Sequence, residues 1–315
     1  MPSIIVSKKI SFYRLEILYQ KLNSKFDMMN WDDILDFIPL KDYVPVMNRG
    51  LNFDLETLKR TLKIPDTGSG NYSEKDIHYI RGGRRYGIEF FDTIDTDEKL
   101  QRYSKKFYIS DLIKRNETLL HFGSLHGSNR IILKQPENIE FLRKVMKDLR
   151  FKHPILMDSV KRIIDELGGP RSFIGVHIRT GDGVFKNRKN KIINDIFDKM
   201  SNYSNSHNLT NNFLRKPLPN NASKNVLKCL ERPESLVIYI ATDEPKPKEA
   251  FESNLNSCIF VLSDFNDHLK PLNNLKFTPF FKSLVDLLVV SNGVEFIGTR
   301  RSTFSKLAKA IHEYQ

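Results

Sequence analysis

FIGVHIRTGDGVFK, residues 173–186, is unbroken and apolar as far as Val176, admits a His and an Arg within the next three residues, and then breaks into Gly-Asp-Gly. A short β-rich run without apolar–polar alternation fits a strand buried on both faces. The run SFIGVHIR (172–179) has counterparts downstream in SLVIYIATD (235–243), CIFVLSD (258–264) and EFIGT (295–299). Helical stretches lie between and after them: KPKEAFESNL (246–255), PFFKSLVDLLVVSNG (279–293) and STFSKLAKAIHEY (302–314). Strand and helix alternating in this way specify a parallel sheet with helices on its faces. Ligands of such sheets sit at the carboxyl ends of the strands. Arg179, Asp182, Thr242, Asp243 and residues 298–302 would fall there.

The first half of the chain reads as mixed and irregular. SFYRLEILYQKLN (11–23) has helical spacing, and NWDDILDFI (30–38) opens with an Asn cap and acids in its first turn, so both are expected to be short helices. DTGSGNYSEKDIHYIRGGRRYG (66–87) reads as a surface loop. LLHFGSL (119–125) suits a buried strand, and PENIEFLRKVMKDLRF (136–151) and PILMDSVKRIIDELGG (154–169) suit helices, the second closed by Gly. At 315 residues the chain is long for one core, which predicts two domains, 1–153 and 154–315. The polar, Asn-rich stretch 183–222 is too long for an ordinary connection and is expected to be a flexible insertion in the second domain.

Charge and composition narrow the partners only a little. With 50 Lys+Arg against 38 Asp+Glu the formal charge is +12, which favours nucleotides, phosphates or acidic glycans without choosing among them. No apolar run reaches the roughly 20 residues needed to cross a bilayer. Asn-x-Ser/Thr sites begin at Asn71, Asn116, Asn202, Asn208 and Asn221, close to chance frequency. Two cysteines, Cys229 and Cys258, fit one bridge or two buried thiols equally well and are too few for a usual zinc site.

Three stretches could carry chemistry. In the first, His177 and Arg179 alternate with Val176 and Ile178, so both point to one face of the strand. An Arg fork there suits a diphosphate, because it donates two parallel charge-assisted hydrogen bonds. The same pair fits a structural role, with His177 satisfied in the core and Arg179 bridged to a carboxylate. The second is IGTRRSTFSKLA (297–308), where Ser302 can cap a helix whose N-terminus is a ready phosphate site. The third, IATDEPKPKEAF (240–251), ends a strand in Thr242 and Asp243 and fits an ordinary turn as well as a site.

In this order and spacing, HxRxGD, ATDEP and GTxxSTFS resemble the three motifs of the GDP-fucose protein O-fucosyltransferase superfamily, which includes the α-1,6-fucosyltransferases. The resemblance is strong over about 150–315. It extends more loosely to NWDDILDFIPLKDYVPV and LLHFGSLHGS in the first half. It implies an α/β, GT-B-like fold of two facing Rossmann-like domains and an inverting transfer of fucose from GDP-fucose to a protein or glycan hydroxyl, with no obligatory metal or other cofactor. On the resemblance Arg179 contacts the β-phosphate and helps GDP leave, and His177 lies near the nucleotide. Ser302, Thr303 and Phe304 match the loop that holds the diphosphate, Asp286 is a candidate for the guanine edge, and Asp243 orders the loops beneath the site.

One family element has no match before Phe12, the Gly-Gly-x-Asn loop after the first strand. The N-terminal domain is therefore expected to be incomplete, and the chain to be either part of a longer enzyme or a catalytically impaired sugar-nucleotide-binding relative. An anchor or signal ahead of it would place it in the ER/Golgi lumen, and a complete chain in the cytoplasm. RGGRRYG (81–87) leaves a nucleic-acid-binding reading as the minor alternative.

Overall fold

In a computed structural model the described residues are 3–6, 33–36, 38, 77–80, 88–94, 105–117, 119–122, 130–148, 150–181, 183–206, 236–244, 258–275 and 277–314. The chain divides into two compact units, Met1–Asp33 with Phe37–Asp148, and Ile34–Asp36 with Leu149–Gln315. The short segment Ile34–Asp36 goes with the second unit.

The first unit holds β1 (Ser3–Val6), β3 (Ile77–Ile80), β4 (Ile88–Phe91), β5 (Lys105–Tyr108), β6 (Leu119–Phe122) and β7 (Arg130–Ile132), with helices α1 (Ile109–Ile113) and α2 (Pro136–Asp148). Its strands form two three-stranded parallel sheets, ordered β1-β6-β3 and β5-β4-β7. Ile80, Ile88 and Leu120 form a small buried cluster with Phe90, Phe107 and Leu112 against it. Asp92 follows β4 and accepts hydrogen bonds from the backbone N–H groups of Lys134 (2.9 Å) and Gln135 (3.0 Å) and from Asn138 Nδ2 (3.1 Å), which fixes the start of α2. Two expectations are corrected here. Ile77–Ile80, expected within a surface loop, is a strand, because IHYI finds a parallel partner in β6 and buries Ile80. Leu35–Asp36, expected within a helix, is the strand β2, paired antiparallel with β8 (Arg150–Phe151). Burial of Ile34 and the bond from Lys152 N–H to the Ile34 carbonyl (2.8 Å) override the local helix signal. The expected helix at 11–23 lies outside the described residues.

The second unit is built on a four-stranded parallel sheet of β9 (Ile174–Ile178), β10 (Val237–Thr242), β11 (Cys258–Val261) and β12 (Glu295–Gly298), ordered β11-β10-β9-β12. These are the four runs expected as strands, and their lack of alternation has the expected cause: both faces are covered. Ile174, Val176, Ile178, Ile238, Ile240, Ile259, Val261 and Ile297 line one face with Ile196 and Met200. The latter two come from α5 (Lys189–Ser206), which follows the short α4 (Gly183–Lys186). Residues 183–186 and 189–206 are therefore helical where a flexible insertion was expected. The isoleucines within that polar stretch recur at helical spacing and have a sheet to pack on. Residues 207–222 lie outside the described residues.

On the opposite face pack α7 (Thr278–Ser291) and α8 (Thr303–Tyr314), with α3 (Pro154–Glu166) and α6 (Asn266–Leu269) against α7 or α3. Each fully buried aliphatic side chain here contributes roughly 1.5–3 kcal/mol before entropy is counted. Cys258 is buried in β11 and disulfide-bonded, and the only other cysteine in the sequence is Cys229. The expected helix at 246–255 lies outside the described residues.

The strand order places the site. From β9 the chain moves outward to β10 and then β11, and returns across the sheet to β12 on the other side of β9. The switch in direction lies between β9 and β12, and in open parallel sheets the crevice at the carboxyl ends of such a pair is where ligands bind.

Candidate functional site

Thr299 fastens the ends of β9 and β12 together. Its N–H and its Oγ1 each donate to the His177 carbonyl at 3.0 Å, and Oγ1 accepts the Arg179 N–H at 2.9 Å. One buried hydroxyl thus fixes the backbone of both His177 and Arg179. Just before it, Gly298 lets the first turn of α8 come down on the sheet, since a Cβ there would lie 2.7 Å from Ser305 Cβ. That approach brings Ser305 Oγ to 2.6 Å from His177 Nδ1 and stacks the Phe304 ring on the imidazole, with centroids 4.2 Å apart.

The turn into α8 is closed by the Ser302 N–H donating to the Thr299 carbonyl at 3.2 Å, with Arg301 in the left-handed region at φ 73°. Ser302 is buried, and its Oγ accepts the Ser305 N–H at 3.4 Å, a helix cap. The N–H groups of Thr303 and Phe304, in the same first turn, have no carbonyl partner within the helix. With the helix dipole they favour an anion at this point.

A second set of bonds orders the other side of the β9 end. Asp243, just after β10, accepts the Thr180 N–H at 2.7 Å, and its Oδ2 would lie 2.9 Å from a Cβ at position 181, so Gly181 is required for the close approach. Glu244 accepts the Thr180 hydroxyl at 3.3 Å and pairs with Lys189 Nζ at 2.7 Å, which ties the start of α5 to the sheet edge. The Arg179 guanidinium lies over the ring of Phe185 in α4, 5.6 Å from its centroid. The cationic head is thus held against an aromatic face at the carboxyl end of β9.

Burial holds the His177 imidazole down to a pKa of about 4; the Arg179 charge pushes the same way and Asp243 opposes it. The ring is therefore neutral at physiological pH, and the unfolded chain binds its proton more readily than the folded one. This contribution to stability is complete above about pH 6.5 and is lost as pH falls towards 4. Between pH 7 and pH 5 wild type should lose about 2 kcal/mol from this residue. Urea unfolding of wild type and His177→Gln at both pH values checks this, and parallel losses in the two proteins would refute it.

The model of the GDP-fucose protein O-fucosyltransferase family matches residues 16–315. The chain belongs to that family. A crystal structure of POFUT1 in complex with GDP is similar at 13% identity over 99% of this chain and 96% of that one, with a TM-score of 0.40. At that level the likeness bears on neither fold nor site. No curated protein matches the sequence significantly.

O-fucosyltransferase family motifs expected to act together are joined in the structure by direct contacts. His177, the Arg179 backbone, Ser302 and Phe304 are linked through Thr299, Ser305 and ring stacking, and Thr303 opens α8 beside them. Asp243 holds the Thr180 turn. Asp286 is placed differently, midway along α7, with Oδ1 accepting the hydroxyl of Tyr239 at 2.7 Å. Burial pushes its carboxyl up to about 7, against the opposing effect of the Tyr239 hydrogen bond. Asp182 lies outside the described residues. Sequence reasoning missed Ser305, Phe185 and the Glu244–Lys189 pair, which carry no local signal. Tyr239 could have been noticed as the one hydroxyl inside the run VIYIA.

Proposed function

We propose that the second unit binds the GDP moiety of GDP-fucose at the carboxyl ends of β9 and β12 and that the protein transfers fucose to a protein or glycan hydroxyl with inversion. The observation that carries this reading is the joining of the Arg179 backbone and the α8 N-terminus by the single residue Thr299. Family membership supplies the donor class. In the proposed reaction the acceptor oxygen forms a bond to the anomeric carbon as the bond from that carbon to the β-phosphate oxygen breaks, and the acceptor hydroxyl gives up its proton to solvent water. Negative charge grows on the departing diphosphate. The Arg179 guanidinium and the first-turn N–H groups of α8 are assigned to stabilise it. His177, neutral, flanks the nucleotide, and Ser302, Thr303 and Phe304 cradle the diphosphate. No metal is given a role in this reading. The disulfide at Cys258 supports an oxidising compartment such as the secretory lumen.

Calorimetric titration with GDP and with a short single-stranded RNA tests the donor assignment. Saturable GDP binding with no salt-sensitive RNA binding is expected. Tight RNA binding that falls steeply with salt, without a response to GDP, would overturn the reading.

A further inference from the structure

The short helix α4 carries an aromatic side chain that the core beneath it does not use. Ile192, Ile193 and Phe197 of the following helix pack against the sheet, whereas Phe185 is half-buried and is not among the side chains of that cluster. Its ring lies instead against the Arg179 guanidinium, with Cζ 5.6 Å from the centroid.

The backbone behind the ring is fixed. Gly183, at φ 48°, opens α4, and the Phe185 carbonyl accepts the Arg188 N–H at 3.0 Å, while the Arg188 carbonyl accepts the Ile192 N–H at 2.9 Å. These bonds join α4 to α5, which Ile196 and Met200 seat on the sheet. At the start of α5, Lys189 Nζ pairs with Glu244 at 2.7 Å. Glu244 in turn accepts the Thr180 hydroxyl at 3.3 Å and donates its N–H to Thr242 Oγ1 at 3.1 Å. The aromatic shelf is therefore tied to the ends of both β9 and β10.

We propose that Phe185 is a positioning residue for Arg179: its ring aims the guanidinium so that the site distinguishes a nucleoside diphosphate from a monophosphate. This rests on the donor assignment above and deepens it. An arginine side chain has many rotamers, and a fork that is already in place binds better than one that must be ordered by the ligand. A ring restrains a guanidinium through its face, whereas phosphate oxygens are met by the in-plane N–H donors, so the two contacts do not compete. A carboxylate in the place of the ring would take those donors for itself. Phe185 needs no contact with the nucleotide in this reading and acts through Arg179 alone. GDP carries the terminal phosphate to which Arg179 is assigned, and GMP lacks it. General loosening of the site would weaken both nucleotides alike, while a misaimed guanidinium weakens GDP only.

The test is calorimetric titration of the full chain with GDP and with GMP. Wild type, Phe185→Leu, Phe185→Tyr, Arg179→Ala and the double variant Arg179→Ala with Phe185→Leu are compared, with thermal melts to check folding. Wild type should bind GDP at least tenfold more tightly than GMP. Phe185→Leu, apolar but without a ring face, should reduce that preference about fivefold through GDP alone, and Phe185→Tyr should stay within about twofold of wild type. In the Arg179→Ala background Phe185→Leu should change the ratio no further, because the two residues act as one unit. If Phe185→Leu does not fold, a trifluorinated phenylalanine at position 185, alike in shape but with a weakened ring face, replaces it in both backgrounds with the same expected loss. An unchanged GDP/GMP ratio in Phe185→Leu, equal losses in Phe185→Leu and Phe185→Tyr, or the same loss with Arg179 already removed would overturn the inference and leave the donor assignment standing. Wild type that binds neither nucleotide, or GDP no better than GMP, would overturn the donor assignment, and this inference with it.

Discussion

Replacing Arg179 by Ala should lower fucose transfer from GDP-fucose by about 10²–10³-fold while leaving the thermal unfolding temperature within a few degrees of wild type. The backbone of residue 179 is held by Thr299 Oγ1, a contact that Ala retains. The substitution removes the methylene stem and the guanidinium, including its position over Phe185. Because charge on the diphosphate grows as the sugar departs, the loss should fall mainly on kcat rather than on KM. Arg179→Lys should recover only part of the rate, since an ammonium lacks the planar fork. Turnover assays with a saturating acceptor mixture check this, and near wild-type kcat in Arg179→Ala would remove the residue from the reaction.

The second large effect is expected on stability. A methyl group at Gly175 would lie 1.9 Å from the Val290 carbonyl oxygen and 2.7 Å from its carbon, so it would meet the backbone of α7 rather than a movable side chain. Gly293 interlocks with the same spot, where its Cβ would sit 2.5 Å from the Gly175 nitrogen. To admit Gly175→Ala, α7 must lift from β9 along a face that buries Val285, Leu288 and Val289. The cost should be about 3 kcal/mol, at the upper end of overpacking. For a unit of this size that is a fall of roughly 10 °C in Tm. Gly183→Ala, where nothing lies within 4 Å despite a φ of 48°, is the control and should cost about 1 kcal/mol. Equal melting of the two variants would contradict the packing of α7 on β9.

The second unit was legible in the sequence because its strands are buried on both faces and their helices carry continuous apolar stripes. Both properties show in single runs such as FIGVHI and SLVDLLVV. The Ser302 cap could be read for the same reason, since it depends on neighbours three residues apart. What could not be read depends on partners distant in sequence. Leu35–Asp36 became a strand because residues 150–151 offered it a ladder, and IHYI because 119–122 did. Likewise, nothing near Ser305 or Phe185 indicates that their partners are His177 and Arg179. Asp286 was named only on the family resemblance, and the hydroxyl that bonds it comes from β10, across a helix–sheet interface.

The central claim is that a diphosphate binds where β9 and β12 end. Amide hydrogen exchange with and without saturating GDP tests it most directly. GDP should slow exchange at the amides of 179–181 and 303–305 and leave α2 in the other unit unchanged. Protection confined to other segments, with 303–305 exchanging as fast as in free protein, would contradict it.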